Sequence, residues 1–112
     1  MPVLTITTNS PVDFSSGTLR KLSSEVAEML GKPESYVMLQ LQHNSQMLFA
    51  GSDEPLAYVE LKSIALPQER TTDYSATLCN LIASELNIPQ SRIYIEFSDL
   101  QRHLFGWNGT TF

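Results

Sequence analysis

Proline in second place, directly behind Met1, is the residue of this 112-residue chain with the most to offer chemically. Inside a chain, proline nitrogen is a tertiary amide with neither proton nor basicity. A small second residue favours removal of the initiator methionine. Pro2 then becomes a terminal secondary amine, able to act as a base or a nucleophile. An ordinary α-amino group titrates near ~8, so a base working at neutral pH needs its pKa lowered. A neighbouring cation and a poorly solvated pocket both do that, because both disfavour the protonated amine.

The elements that hold such a site read from the patterning. Val3–Thr8 is β-rich. Ser15 or Ser16 caps a helix running to about Leu30, with Leu19, Leu22, Val26, Met29 and Leu30 on one face. Gly31 stops that helix and Pro33 prevents its restart. Lys32, between them, also complements the helix dipole. Strands follow at Val37–Gln42 and Tyr58–Ile64, a helix from Thr71 or Thr72 to about Leu86, and a strand at Arg92–Ser98. The two halves match without a gap at an offset of 56 residues, Pro33 against Pro89 and Ser35 against Ser91. Apolar positions 37, 39 and 41 coincide with 93, 95 and 97. We read a duplicated unit, about 2–56 and 57–112, within one domain spanning residues 1–112. Two βαβ units with right-handed crossovers predict an α+β fold, a four-stranded sheet with both helices on one face. Val37-Met38-Leu39 is apolar on both sides, which predicts that the other face is covered by oligomerisation.

Composition narrows the function classes. With 12 acidic against 7 basic residues and a net charge of −5, the chain lacks the clustered cations that bind nucleic acid. No stretch approaches the roughly 20 apolar residues of a membrane-spanning helix, and no signal peptide is read. Cys79 is the single cysteine, so no intrachain disulfide forms, and it reads as a small hydrophobe. His43 and His103 lack ligand-spaced partners, and no metal or cofactor is expected. A cytoplasmic protein is the simplest expectation, with export lacking a signal peptide left open. Asn108-Gly109-Thr110 fits a glycosylation sequon but carries no weight without a secretory signal.

Several segments together resemble the tautomerase superfamily, in its macrophage migration inhibitory factor and D-dopachrome tautomerase branch. They are Met1-Pro2-Val3-Leu4, Gly31-Lys32-Pro33, Ser52-Asp53-Glu54-Pro55, Ser63-Ile64, Arg92-Ile93-Tyr94-Ile95 and Gly106-Trp107-Asn108-Gly109-Thr110-Thr111-Phe112. The resemblance covers nearly the whole chain. It implies a homotrimer with an active site at each subunit boundary, and keto–enol tautomerisation of an enolisable 2-keto acid such as phenylpyruvate. Pro2 would be the general acid/base. Lys32 and the backbone N–H of Ile64 would hold the substrate carboxylate, and Tyr94 would come from a neighbouring subunit. Tyr36 lies at the pocket edge, and Phe105, Trp107 and Phe112 supply an apolar wall, with Trp107 and Phe112 equally suited to sealing an interface. Proton transfer and carbonyl polarisation suffice without a cofactor.

Two departures qualify the resemblance. Glu96 stands where many animal members have an asparagine that binds substrate oxygen, so its carboxylate would repel an anion, accept a proton or pair with a cation. The Cys-x-x-Cys of the animal cytokine members is replaced by Leu56-Ala57-Tyr58-Val59, which removes thiol–disulfide chemistry there. The main alternative is a cytokine-like interaction protein with a vestigial pocket and a protein receptor. A further alternative is hydration or dehalogenation of an unsaturated acid, with protonated Pro2 as the acid.

Overall fold

The computed structural model describes residues 1–13 and 17–112. The elements run β1 (Val3–Thr8), α1 (Thr18–Leu30), β2 (Met38–His43), β3 (Ala57–Ile64), α2 (Thr71–Leu86), β4 (Ile93–Leu100), β5 (Gly106–Trp107) and β6 (Thr110–Thr111). The expected caps Ser15 and Ser16 lie outside the described residues. β4 runs two residues beyond the expected end, and the tail folds into a β5–β6 hairpin that the sequence reading left unassigned.

The sheet order is β2-β1-β3-β4. β1 pairs parallel with β2 and antiparallel with β3, and β3 pairs parallel with β4. Each helix therefore makes the crossover between two parallel neighbours. Period-2 alternation sends Leu4, Ile6, Val59 and Leu61 under the helices, where all four are fully buried. Leu22 and Val26 of α1 and Leu78 and Ile82 of α2 meet them from above, fully buried too. Each such side chain contributes about 1.5–3 kcal/mol by leaving water. Cys79 is half-buried and packs against this core.

The opposite face differs from the expectation of two apolar surfaces. Met38 (53% exposed), Tyr58 and Tyr94 are its large apolar residues, but Thr5, Thr7, Gln40, Gln42, Glu60, Lys62 and Glu96 share it. Val37 precedes β2, and Met38 and Leu39 point to opposite faces, so the apolar triplet does not cover one surface.

Both helices end in a left-handed residue, Gly31 (φ 63°) and Asn87 (φ 56°). At the first, the Gly31 N–H donates to Glu28 O and the Lys32 N–H to Ala27 O, a Schellman stop. At the second, the Ile88 N–H donates to Ala83 O. Pro33 and Pro89 then each accept from the third residue on, Tyr36 and Arg92. The same turn thus presents Lys32 and Tyr36 in one half, and buried Ile88 and Arg92 in the other.

Candidate active site

Pro2 is fully buried at the entry to β1, and its carbonyl accepts the Met38 N–H at 3.0 Å. The helix stop fixes Lys32 beside it. Lys32 Nζ donates to Ile64 O at 2.7 Å, where β3 ends against Leu100 of β4. The Ile64 contact in the chain is therefore through its carbonyl, and the residue is 4% exposed.

The terminal amine, here that of Met1, is held below its ordinary value. Burial is the main cause, followed by the positive charges of Lys32 and Arg102. Lys32 is lowered as well, chiefly by burial and then by Arg102, while Asp99 opposes the shift. Removal of Met1 moves the amine one residue inward, onto a proline that is already buried.

The aromatic wall is assembled by the tail. Asn108 (φ 53°) and Gly109 (φ 79°) form the tight turn of the β5–β6 hairpin, as Asn-Gly does wherever both central residues need positive φ. That turn accounts for the Asn-Gly pair without reference to glycosylation. Trp107 stacks on Phe112 at 5.7 Å between centroids, and Phe105 lies 6.0 Å from Phe112. Tyr36 meets both Trp107 (5.8 Å) and Phe112 (5.9 Å) edge-on. Tyr36 joins this wall to the Lys32 turn.

Tyr94 and Glu96 belong to a second group. Tyr94 packs against Phe49 at 4.6 Å, in a cavity of about 360 Å³ that also contacts Met47, Leu48 and Tyr58. Glu96 accepts a short hydrogen bond from the Tyr58 hydroxyl. The register aligns Val3 with Lys62 and Lys62 with Ser98, four residues beyond Tyr94 on β4. Pro2, one residue before Val3, lies level with Ser63 and Asp99, so at about 3.3 Å per residue five residues separate Tyr94 from the level of Pro2 by about 16 Å along the sheet. Within one chain the candidate site residues therefore form two clusters, Pro2/Lys32/Ile64/Tyr36/Phe105/Trp107/Phe112 and Tyr94/Glu96.

Two residues that the sequence reading left without a role stand out. Arg102 opens the turn Arg102–Leu104 just past β4, and its carbonyl accepts the Phe105 N–H. The guanidinium of Arg92 donates to the carbonyls of Pro55, Phe49, Ser52 and Glu54 and lies over the Phe49 ring. A cation immediately before the aromatic tail was the available signal for Arg102. Arg92 carried none, since its partners are backbone atoms distant in sequence.

A small α+β protein with a buried proline at position 2, a lysine beside the N-terminus and an aromatic tail next to the lysine turn is the class that fold and geometry define. The family model for macrophage migration inhibitory factor (MIF) matches residues 1–112, and the chain belongs to that family. A macrophage migration inhibitory factor homolog of Brugia malayi is 43% identical, over 100% of this chain and 99% of that protein. The homolog of Trichinella spiralis is 40% identical over the full length of both. The crystal structure of a Prochlorococcus marinus homologue superposes with a TM-score of 0.91 at 46% identity, covering 98% of each chain. The Trichinella spiralis structure also reaches 0.91, at 37% identity, covering 98% of this chain and 99% of that one. The family includes tautomerases and cytokine-like members. No described helix is long and apolar enough to cross a membrane.

Proposed function

We propose that the protein is a keto–enol tautomerase of the phenylpyruvate type, an isomerase acting on an enolisable 2-keto acid, with Pro2 as the general acid/base once Met1 is removed. The observation that carries this reading is the placement of a fully buried Pro2 at the head of β1 beside the turn that holds Lys32 on Ile64 O, where burial and a cation both disfavour a protonated amine. A free amine at neutral pH takes a proton from the carbon beside the keto group. The electron pair moves onto the carbonyl oxygen as the enolate forms. The protonated amine then returns its proton to oxygen, or the steps run in reverse from the enol. Lys32 pairs with the substrate carboxylate and stabilises the charge that develops on the adjacent oxygen. Tyr36, Phe105, Trp107 and Phe112 stack on the substrate ring and exclude water.

The split between the two clusters supports a homotrimer. A second copy bringing Tyr94 and Glu96 to the Pro2 cluster completes the site, and the Met38, Tyr58 and Tyr94 side chains give its interface apolar area. The test is phenylpyruvate tautomerisation by protein whose loss of Met1 is confirmed by mass spectrometry, beside a Pro2→Gly variant. The variant is expected to lose about 10²-fold or more in kcat/KM, the range of a positioned general base. Equal rates in the two correctly processed proteins would rule out the terminal amine as the base.

A further inference from the structure

Beside the terminal amine the candidate site holds two side-chain cations, Lys32 and Arg102, where a single carboxylate needs one. The terminal amine, Lys32 and Arg102 lie within one another's electrostatic reach, in a chain whose net charge is −5. The backbone explains the proximity. Lys32 Nζ sits on Ile64 O, Ile64 pairs with Leu100, the Ala65 N–H donates to Leu100 O, and Arg102 follows two residues later. The Phe105 N–H then donates to Arg102 O and the Phe112 N–H to Phe105 O, so the arginine opens the same segment that builds the aromatic wall.

The two cations are differently committed. Lys32 is partly buried and Nζ is already committed to Ile64 O at 2.7 Å, which leaves its remaining N–H positions for one substrate carboxylate. Arg102 is exposed, and its side chain makes no ion pair or hydrogen bond with a described residue. Asp99 is the carboxylate near Lys32, but its oxygens are engaged by the Leu66 N–H and Gln68 Nε2. A planar, permanently charged fork with uncommitted donors matches a carboxylate.

We infer that Arg102 makes this a site for diacids: Lys32 takes the carboxylate of the 2-keto acid at the base, and Arg102 takes a second anionic group at the rim. This rests on the tautomerase reading for the identity of the reacting end, while the preference for a second anion is a property of binding alone. Cinnamate and 4-carboxycinnamate, flat aryl acids with nothing to enolise, separate the two. Their dissociation constants are measured by titration calorimetry at low ionic strength, on the Met1-processed assembly and its Arg102→Gln and Arg102→Lys variants. An exposed charge pair sets the scale at up to about five-fold. The unmodified protein is expected to bind the dianion about five-fold tighter than the monoanion. Arg102→Gln abolishes that preference and Arg102→Lys retains part of it. Equal affinities in the unmodified protein overturn the inference, as does a preference that survives Arg102→Gln, or equal weakening of both ligands in that variant. Phenylpyruvate turnover is assayed in parallel. Its absence alongside an Arg102-dependent preference refutes proton transfer by Pro2 and leaves the two-cation mouth standing. Turnover without the preference refutes only the mouth.

Discussion

Arg92→Met should cost about 3 kcal/mol of stability. The guanidinium closes the connection between β2 and β3 by donating to Pro55 O (3.0 Å), Phe49 O (3.1 Å), Ser52 O (3.0 Å) and Glu54 O (3.1 Å). The contacts to Phe49 and Ser52 are part-buried, so water replaces them poorly, and each is worth about 1 kcal/mol. Those to Pro55 and Glu54 are exposed and contribute little, because water takes their place. The cation over the Phe49 ring, 5.2 Å from its centroid, adds about 0.5–1 kcal/mol. Methionine keeps most of the apolar stem, so the loss reports on the charged fork rather than on a cavity. For a domain stable by about 5–15 kcal/mol, the change is readily measured. Urea unfolding followed by fluorescence, at one fixed protomer concentration because assembly couples to stability, gives the value. A midpoint moved by less than about 0.5 kcal/mol with unchanged m, the range of an ordinary surface substitution, would refute the clamp. The same loop carries Phe49 to Tyr94, so the variant also loosens the second cluster.

Two further perturbations probe the site. Activity that depends on the free amine is lost as pH falls through its pKa; Lys32→Gln removes a cation that lowers that pKa, so the acid limb of kcat/KM against pH moves to higher pH while KM rises. An acid limb that stays in place contradicts the electrostatic contact. Tyr58 is pushed up to about 12, first by its hydrogen bond to Glu96, and Glu96→Ala should return it toward the ordinary 10. Tyrosinate absorbance against pH reads this directly, and coincident titrations of the two proteins would exclude the bond.

The legible part of the fold came from local rules. The Val3–Thr8 alternation, the apolar stripe at Leu22 and Val26 and the Gly31 and Pro33 stop each act over a few residues, and each appears where it was read. The β5–β6 hairpin was missed although Asn108-Gly109 is a turn signal, because its strands are two residues long and show no alternation. The polar share of the open sheet face, with Gln40, Gln42, Glu60 and Glu96 beside Met38, was not legible for a related reason. A run of apolar residues does not tell which face each one joins until register is set by the neighbouring strand.

The sequence by itself determined the chemistry available: a proline at position 2 that gains an amine when Met1 is removed, a cation locked behind a glycine stop at Lys32, and an aromatic tail. These depend on residue identity and on turns closed within a few residues. The tertiary structure alone decided which of these groups meet. The β2-β1-β3-β4 order brings the end of β3 to the start of β1, so Lys32 reaches Ile64 beside Pro2. The overrun of β4 to Leu100 carries Arg102 to the same mouth, and five residues of register keep Tyr94 away from it. Such meetings arise from pairing between strands far apart in sequence, whose register follows from packing the whole core at once.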